Sequence, residues 1–461
     1  MISWIFLLFF TKKLKYVNIY LSIINQKSMK NILANISTTI ASRIIKGVLT
    51  LLSAIFISRY FGPENKGIFV LVTTLPLLAL NLGNLGLINA NIFFTSKNEN
   101  DSKNLFYNSC WLGLFLGLFF IGIFSLFLKL NPQIFFNNLQ LSYIAMILII
   151  TPFMFWESFF QGIFLGQKKY YIFNLVQIIP YSLIFLGTIF GRIFLTMNIY
   201  YISLLATCSF VLPAIIYFVI LTKQYGLKWH FDTSLIKKEL GFGFRAYIAS
   251  IMSYLILRSD IYLVNTFLDL KDVGLYSVAV NLSESLLLIT NATSLVLFPQ
   301  ITSKPEDGLK MTLRASKIVS LLMIISFAVI YLLAKPLVNI LFGSQFKGSL
   351  PSLYILMPAS FFWSLITILS MYFASKGFPW KAVWIWIPGL IINISINLIF
   401  LPRFGLIIAS LSSLIAYAIT FWLHYKYLSS RDNISLKDIL LPSKKEIKDT
   451  YSFVKKALIT K

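Results

Sequence analysis

Three ionisable residues occur within two consecutive long apolar segments of this sequence. Arg258 and Asp260 lie in the first segment, and Glu284 lies in the second. A charge in the interior of a membrane is costly, so such residues usually face a partner of opposite charge or a water-filled cavity. Each of the three lies within about 6 Å of the middle of its segment, at the rise expected for a helix. We expect Arg258 to pair with Glu284, either as a structural ion pair or as part of a polar site at mid-depth.

The first half of the sequence contains three further charged candidates. Arg43 and Lys46 are three residues apart, which places them on one face of a helix. Snorkelling of the long side chain to the membrane surface explains Arg43, whereas Lys46 lies deeper in its segment and is less easily explained in this way. Glu157 is the third candidate, inside another apolar segment.

Side-chain amides repeat in two corresponding segments. Asn84 and Asn291 occupy equivalent positions when the two halves of the sequence are aligned at an offset of about 207 residues. On a continuous helix, the polar residues of each segment fall on one side. They form either two facing walls of a hydrophilic cavity or hydrogen bonds between helices. The two sets are Asn81, Asn84 and Asn91, and Asn281, Glu284 and Asn291, while Asn393 and Asn397 add a pair one turn apart in a later segment.

The sequence lacks the patterns of several other kinds of site. Cys110 and Cys208 are too few for a disulfide framework, and neither histidine has neighbours at the spacing of metal ligands. No glycine-rich loop of the type that cradles nucleotide phosphates is present. No nucleophile stands near a general base in a recognisable pattern. We therefore predict no catalytic residue, no metal site and no bound cofactor, and we expect the protein not to be an enzyme.

The composition identifies the elements that hold these residues. The chain is 58% hydrophobic and 12% charged, with a mean hydropathy of +0.80, which a soluble protein of 461 residues does not reach. About 20 apolar residues are needed for each membrane-spanning helix. We predict an all-α integral membrane protein with twelve spans, at 38–61, 68–95, 105–130, 141–165, 171–191, 199–222, 244–268, 273–300, 316–342, 350–375, 379–401 and 406–428.

The twelve spans form two similar sets of six. Residues 60–72 and 267–279 share a pattern in which an apolar stretch ends, a charged turn follows, and a glycine with an apolar and an aromatic residue opens the next stretch. This pattern predicts two pseudo-symmetric six-helix bundles, at 38–222 and 244–428, joined by a linker at 223–243. Gly113 and Gly117 form a close-packing pattern in span 3.

Basic residues predict the orientation. The loops that share a side with both termini hold most of the lysines and arginines, whereas the opposite loops hold six, at Lys66, Lys129, Arg192, Lys271, Lys347 and Arg403. This bias places both termini in the cytoplasm. The same bias accounts for most of the net charge of +24. Because this charge is spread over loops that flank the membrane, we expect the basic loops to contact anionic lipid headgroups, not nucleic acid.

Two segments flank the bundles. Residues 1–37 form an N-terminal segment that is either interfacial or partly upstream of a true start at Met29. Residues 429–461 form a basic tail. Apolar residues recur in it at helical spacing between lysines, which predicts an amphipathic helix on the membrane surface or a solvated tail.

The sequence resembles a known family. Residues 55–69, with Arg59, Gly62, Pro63 and Gly67, are similar to the ARxLGPexyG signature of Wzx-type polysaccharide repeat-unit flippases, a branch of the multidrug/oligosaccharidyl-lipid/polysaccharide exporter superfamily. Further similar stretches lie at 161–174, 258–299 and 374–406, and the resemblance covers roughly residues 30–428.

The resemblance implies a fold like that of the multidrug exporters of this superfamily, with two bundles working by alternating access. It implies as substrate an oligosaccharide linked to a polyprenyl diphosphate, moved across the bacterial inner membrane for O-antigen, lipopolysaccharide or capsule assembly, beside other polysaccharide assembly proteins. Arg43, Lys46 and Arg258 would then face the diphosphate or acidic sugars. The candidate cavity also includes Asn84 and Asn291. Glu157, Asp260 and Glu284 become candidates for coupling to a proton or sodium gradient.

Three alternatives remain open at this point. A drug/cation antiporter of the same superfamily also has twelve spans, although basic residues in spans 1 and 7 argue mildly against it. A lipid II flippase is similar but has fourteen spans. A membrane-embedded polymerase or ligase needs a large loop outside the cytoplasm, and the loops predicted here on that side are short.

Overall fold

A computed structural model describes residues 26–195, 197–228, 230–303, 306–376 and 379–440. These ranges are almost entirely helical and contain no strand. The helices, in chain order, are α1 (Gln26–Gly83), α2 (Leu87–Lys97), α3 (Ser102–Leu130), α4 (Gln133–Phe136), α5 (Leu141–Gly166), α6 (Tyr170–Phe194), α7 (Ile199–Tyr225), α8 (Thr233–Phe267), α9 (Leu270–Ser285), α10 (Leu287–Ser303), α11 (Gly308–Leu337), α12 (Leu350–Ser375), α13 (Trp380–Trp384), α14 (Trp386–Phe404), α15 (Leu406–Asp432) and α16 (Leu436–Leu440). The all-α class predicted from composition is confirmed.

The protein is a multi-pass membrane protein. Among the described residues, ten helices are long and apolar enough to cross a membrane, and α9 with α10 makes an eleventh span if this bent pair counts as one. One of the ten, Ala41–Gly83, has 43 residues, enough for two spans, and its backbone leaves the helical region at Gly62 (φ 79°, ψ 175°). The glycine permits this positive φ, so the chain reverses where the sequence predicts the turn between spans 1 and 2. The count of twelve stays a prediction, which this break supports.

Each of the two segments that carry the predicted amide stripes is broken. The first is interrupted between α1 and α2, where Leu85 and Gly86 have positive φ angles of 52° and 79°. The second bends by 45° between α9 and α10. Discontinuous helices in corresponding positions are typical of transporter binding regions, because they open backbone and polar side chains toward a cavity. The continuous helices assumed for the amide stripes are therefore wrong.

The connection between the two halves is shorter than predicted. Helix α7 continues to Tyr225 and α8 begins at Thr233, so most of the predicted linker at 223–243 is helical. Asp232 caps α8 by accepting a hydrogen bond from the Leu235 amide at 3.0 Å, which explains the start of this helix. At the other end of the chain, α15 extends to Asp432. The predicted amphipathic helix of the tail and the N-terminal segment up to residue 25 lie outside the described residues.

The two sets of helices meet at two glycines, Gly67 and Gly274, which occupy corresponding positions in the two halves. We call the end of the molecule that holds residues 226–232 the linker side, and the other end the opposite side. On the opposite side, a Cβ atom added to Gly67 would lie 1.9 Å from the Leu270 carbonyl oxygen. One added to Gly274 would lie 1.8 Å from the Pro63 carbonyl oxygen. Only glycine allows the second half of α1 and α9 to approach so closely.

Several hydrogen bonds join the two halves on this opposite side. Asn137 donates to the carbonyls of Asn265 and Leu268, each at 3.0 Å. Arg59 Nη1 donates to the Ile340 carbonyl at 2.7 Å, and Gln345 donates to the Ser58 carbonyl at 3.2 Å. The structure therefore represents a state in which the two halves are joined on the opposite side.

Candidate functional site

Arg258 and Glu284 form a two-point ion pair between α8 and α9. Arg258 Nη1 and Nη2 lie 2.8 Å from Glu284 Oε1 and Oε2, respectively. The two side chains are 27% and 24% exposed, so the pair lies at a surface that solvent reaches. The pairing predicted from their depth is confirmed. A bidentate guanidinium–carboxylate pair satisfies both groups and holds the guanidinium plane in a defined direction.

The bend after α9 explains why Glu284 is accessible. Glu284 is the second-last residue of α9, and the chain turns at Leu286 before α10 begins. Residues of α8, α9, α12 and α15 surround a small cavity beside it. The lining includes Leu257, Asp260, Ser283, Glu284, Ser360 and Tyr417. Glu284 therefore lines this cavity and also binds the Arg258 guanidinium.

The Asp260 carboxylate contacts different residues from those of the Arg258–Glu284 pair. Its side chain is 2% exposed and accepts hydrogen bonds from Ser413 Oγ at 2.9 Å, from the Tyr276 hydroxyl and from the Ile261 amide at 2.8 Å. The carboxylate is satisfied by neutral donors, and no described basic side chain forms an ion pair with it. A buried carboxylate beside two hydroxyl groups suits a proton or a small hard cation.

The amides predicted in span 11 extend this group of polar residues. Ser259 Oγ donates to Asn393 Oδ1 at 2.7 Å, and Asn393 Nδ2 donates to Ser413 Oγ at 3.4 Å. Asn397 Nδ2 donates to Ser412 Oγ at 2.6 Å. The network joins α8, α14 and α15, and its members are buried. It fixes the direction of the Asp260 carboxylate through Ser413.

A second polar cluster lies within the first half, between α1, α5 and α6. Gln177 stands at its centre. Its Oε1 accepts a hydrogen bond from Lys46 Nζ at 3.4 Å, and its Nε2 donates to Glu157 Oε1 at 2.5 Å and to Gln161 Oε1 at 3.1 Å. The structure thus brings together two residues, Lys46 and Glu157, that the sequence predicted separately.

Neighbouring side chains extend the cluster along α1. The Lys46 ammonium lies 4.6 Å from the centre of the Tyr181 ring, close enough for a cation–π contact. One turn toward the linker side, Ser42 Oγ donates to Asn174 Oδ1 at 3.1 Å. A row of polar contacts therefore runs between α1 and α6, and Lys46 lies within it.

The remaining predicted site residues occupy three different settings. Arg43 is exposed on α1. Asn84 lies in the break between α1 and α2, where its Oδ1 accepts a hydrogen bond from the Gly86 amide at 2.9 Å and stabilises the turn. Asn291 is exposed on α10. Asn84 and Asn291 are thus related in sequence, but Asn84 shapes the break in its own segment.

Asn91 forms hydrogen bonds between helices, which is one of the two expectations for the amide stripe. Its Nδ2 donates to Ser109 Oγ and to the Phe159 carbonyl, each at 3.0 Å, and the side chain is 1% exposed. These bonds tie α2 to α3 and α5 inside the first half. Asn91 therefore holds helices together and does not line a cavity wall.

Sequence reasoning missed three groups that complete the two clusters. Gln161 and Gln177 are uncharged, and nothing in their spacing identifies them without knowing how α5 and α6 are rotated. Ser413 lies among several serines in α15 and carries no distinctive signal. The available signal was weak: polar residues in apolar spans tend to form hydrogen bonds with one another.

Comparison with known proteins identifies the family. The model of a family described as "Polysaccharide biosynthesis protein" matches residues 32–304, which is more than half of the chain. The chain belongs to this family. A relative from Haloferax volcanii, named "Probable low-salt glycan biosynthesis flippase Agl15", is 26% identical over 188 residues. The alignment spans 40% of this chain and 40% of that relative.

Solved structures share the fold. The lipid II flippase MurJ, in an inward closed conformation, has a TM-score of 0.70 at 17% identity, with 91% of each chain covered. An inward-facing multidrug resistance MATE family transporter of the MOP superfamily has a TM-score of 0.63 at 15% identity, covering 85% of this chain and 96% of that one. A MOP superfamily transporter from Pyrococcus furiosus has a TM-score of 0.55 at 18% identity, covering 87% and 95%.

The solved structures confirm the MATE-like architecture, and the family match confirms the resemblance to proteins of polysaccharide biosynthesis. The relative and the structural neighbours are named as flippases and transporters, which confirms the prediction that this chain is not an enzyme. At these identities the structural matches establish the fold alone.

Proposed function

We propose that this chain moves an oligosaccharide linked to a polyprenyl diphosphate across the cytoplasmic membrane, as a step in the assembly of a surface polysaccharide such as O-antigen or capsule. The observation that carries the proposal is the partly exposed Arg258–Glu284 pair, whose carboxylate lines a small cavity, in a chain that belongs to a polysaccharide biosynthesis family. A bidentate guanidinium recognises a diphosphate as well as it recognises a carboxylate. The Haloferax relative named as a glycan biosynthesis flippase supports the same substrate class.

The transport step follows from an exchange of partners at Arg258. The diphosphate replaces Glu284 on the guanidinium, so the cation is never left unpaired as the substrate enters. The hydrophilic sugars then occupy the space between the halves, and the prenyl tail stays in the lipid. We place loading in a state like this one, joined on the opposite side. Release follows when the contacts around Gly67 and Gly274 separate and the linker side closes.

The direction of transport rests on the basic-residue bias. With the linker side in the cytoplasm, loading occurs where lipid-linked repeat units are synthesised, and release occurs on the other face. Coupling to a proton or sodium gradient is assigned to Asp260, because its carboxylate, Ser413 Oγ and the Tyr276 hydroxyl gather oxygen atoms around one point. When an ionophore collapses the gradient, transport by the unmodified protein should slow. Transport by an Asp260→Asn variant should not change.

A deletion strain tests the function directly. Without the protein, the lipid-linked repeat unit should accumulate in the inner leaflet and surface polysaccharide should disappear, while cell extracts continue to make the repeat unit. A drug antiporter instead predicts intact polysaccharide and greater sensitivity to cationic dyes. Normal polysaccharide without accumulation, in a genome with no second flippase, would overturn the proposal.

Reconstitution of the protein in liposomes is the complementary experiment. Purified protein in liposomes should move a fluorescent prenyl-diphosphate-linked sugar between leaflets, measured by quenching with membrane-impermeant dithionite. Lys97→Gln is a suitable control, because Lys97 is an exposed cation at the linker-side end of α2, away from both clusters. It should transport at the rate of the unmodified protein.

A further inference from the structure

The two cationic residues of the candidate site are held in different ways. Arg258 is bonded directly to its carboxylate through both nitrogens. Lys46 is separated from Glu157 by the Gln177 amide, and the distance of 3.4 Å from Nζ to Gln177 Oε1 is long for a hydrogen bond to an ammonium. Lys46 can therefore leave its place at a smaller cost than Arg258.

Gln177 is oriented by the charges on either side of it. Its carbonyl oxygen faces the Lys46 ammonium and its amide nitrogen faces the Glu157 carboxylate. In this arrangement the two charges stabilise each other through the amide without forming a direct ion pair. The carboxylate is held firmly, at 2.5 Å, and the ammonium loosely.

We propose that this cluster is a proton-linked anion site: an anionic diphosphate draws Lys46 away from Gln177, and Glu157 then takes up a proton. This inference rests on the proposed function and adds a second point of contact for its substrate. The chemistry is a single protonation, in which an O–H bond forms at a Glu157 oxygen with a proton that the buffered solution supplies. The anion and the proton then occupy the first half together, which reduces the charge that must cross the membrane.

The sign of the linkage follows from the groups around Glu157. Lys46 is separated from it by the Gln177 amide alone, and a nearby cation favours the ionised form of a carboxylate. Tyr217, from α7, is the other titratable group that interacts with Glu157, and Tyr181, from α6, faces Lys46. Helices α2 and α3 also pack against α5, but their nearest polar groups there bond elsewhere, as Asn91 does to Ser109. An anion that draws Lys46 away therefore removes the nearby positive charge that favours the ionised form of Glu157.

The test is the number of protons taken up when the anion binds. The protein is purified at full length in detergent and titrated with farnesyl-diphosphate-linked N-acetylglucosamine, whose phosphates carry no proton that titrates near neutrality. Calorimetry in buffers of different ionisation enthalpy gives the proton count. We expect uptake of roughly one proton by the unmodified protein, the number that one carboxyl group supplies.

Three variants separate the roles. Glu157→Gln should bind the probe and lose the proton uptake. Lys46→Gln should bind roughly tenfold more weakly, the size of one charge-assisted contact, and should also lose the uptake. Glu64→Gln, which changes an exposed carboxylate on the opposite side, should match the unmodified protein in both respects.

The outcomes distinguish this inference from the proposed function. Binding without proton uptake, or uptake that persists in Glu157→Gln, overturns the linked site and leaves the flippase proposal standing. Failure of every protein, including the unmodified one, to bind the probe overturns both. Thermal unfolding of each variant checks that the changes leave the fold intact.

Discussion

Gly67 and Gly274, which are 207 positions apart in the sequence, form the crossing point of the two halves. Each lies against the backbone carbonyl of the residue that stands four places before the other: Gly67 against Leu270, and Gly274 against Pro63. The relationship is reciprocal, as a two-fold pseudo-symmetry requires. The repeat detected in the sequence is therefore also the contact that joins the halves on the opposite side.

A methyl group at either glycine should push this contact apart. Gly274→Ala places a Cβ atom within 1.8 Å of the Pro63 carbonyl oxygen, so the joined state cannot form without a backbone shift. Overpacking of this kind costs about 1–3 kcal/mol. We expect the variant to favour a state open on the opposite side and to transport more slowly.

Cysteine labelling measures this opening. Asn265 is 1% exposed beside the crossing, so a cysteine placed there, with Cys110 and Cys208 replaced by alanine, should react slowly with a membrane-impermeant maleimide. Gly274→Ala should accelerate the reaction. Gly122→Ala is the matched control, since a Cβ atom there meets nothing within 4 Å. Equal labelling in both backgrounds would contradict the proposed gate.

The parts of the fold that could be predicted are those set by patterns along one helix. Length and hydropathy predicted the apolar spans, and the spacing of Gly113 and Gly117 predicted close packing. A Cβ atom at Gly117 would lie 2.6 Å from Pro152 Cα, which confirms that packing. The Arg258–Glu284 pair was also predictable, because depth along two consecutive spans places both charges at one level.

The parts that could not be predicted depend on helix breaks and on rotation about helix axes. Asn84 continued the stripe in sequence because its spacing to Asn81 and Asn91 is helical, although Gly83 and Gly86 beside it are residues that often end a helix. Gln177 joins Lys46 to Glu157 because α6 turns that face toward α1 and α5. No periodicity within one span specifies such a rotation, so the cluster emerges only when the helices are packed.

Substitutions in the Arg258–Glu284 pair should affect thermal stability and transport differently. Removing one partner, as in Arg258→Leu, leaves a partly exposed charge unpaired and should cost about 1–3 kcal/mol, between the values for exposed and buried pairs. The double change Arg258→Leu with Glu284→Leu should restore the thermal stability. It should still fail to transport, because no guanidinium remains to bind the diphosphate.

The measurement combines thermal unfolding in detergent with the liposome assay. Arg258→Lys is an informative companion, because it keeps the charge and loses the two-point geometry. We expect it to be stable and to transport slowly. Transport at the normal rate by the double leucine variant would show that the pair is structural.

The orientation has a direct test in fusion proteins. A phosphatase that is active only outside the cytoplasm should be inactive when fused after Ser429, at the linker-side end of α15. It should be active when fused after Lys347, between α11 and α12 on the opposite side. The reversed pattern would contradict the orientation and the proposed direction of transport.

Glu239 should make the stability of the linker side depend on pH. The residue lies ahead of the membrane-spanning part of α8 and is 1% exposed, and its Oε2 atom has no hydrogen-bond partner in the described part of the chain. Burial, reinforced by the nearby Asp232 carboxylate, raises the pKa of Glu239 from 4.5 to about 8. A carboxyl group whose pKa is raised by folding binds its proton more tightly in the folded protein. Its contribution to stability is therefore complete below pH 4.5 and is lost as the pH rises toward about 8.

Glu239→Gln removes this dependence while keeping the shape of the side chain. Between the two pKa values the unmodified protein should become steadily less stable with rising pH, and the variant should change less. The difference should be largest at the alkaline end, where the variant is the more stable protein. Thermal unfolding of both proteins in one detergent across this pH range measures it, and Glu64→Gln, an exposed carboxyl, serves as the control. Parallel curves for Glu239→Gln and the unmodified protein would show that Glu239 is ionised in the folded state, with water or a basic group beside it.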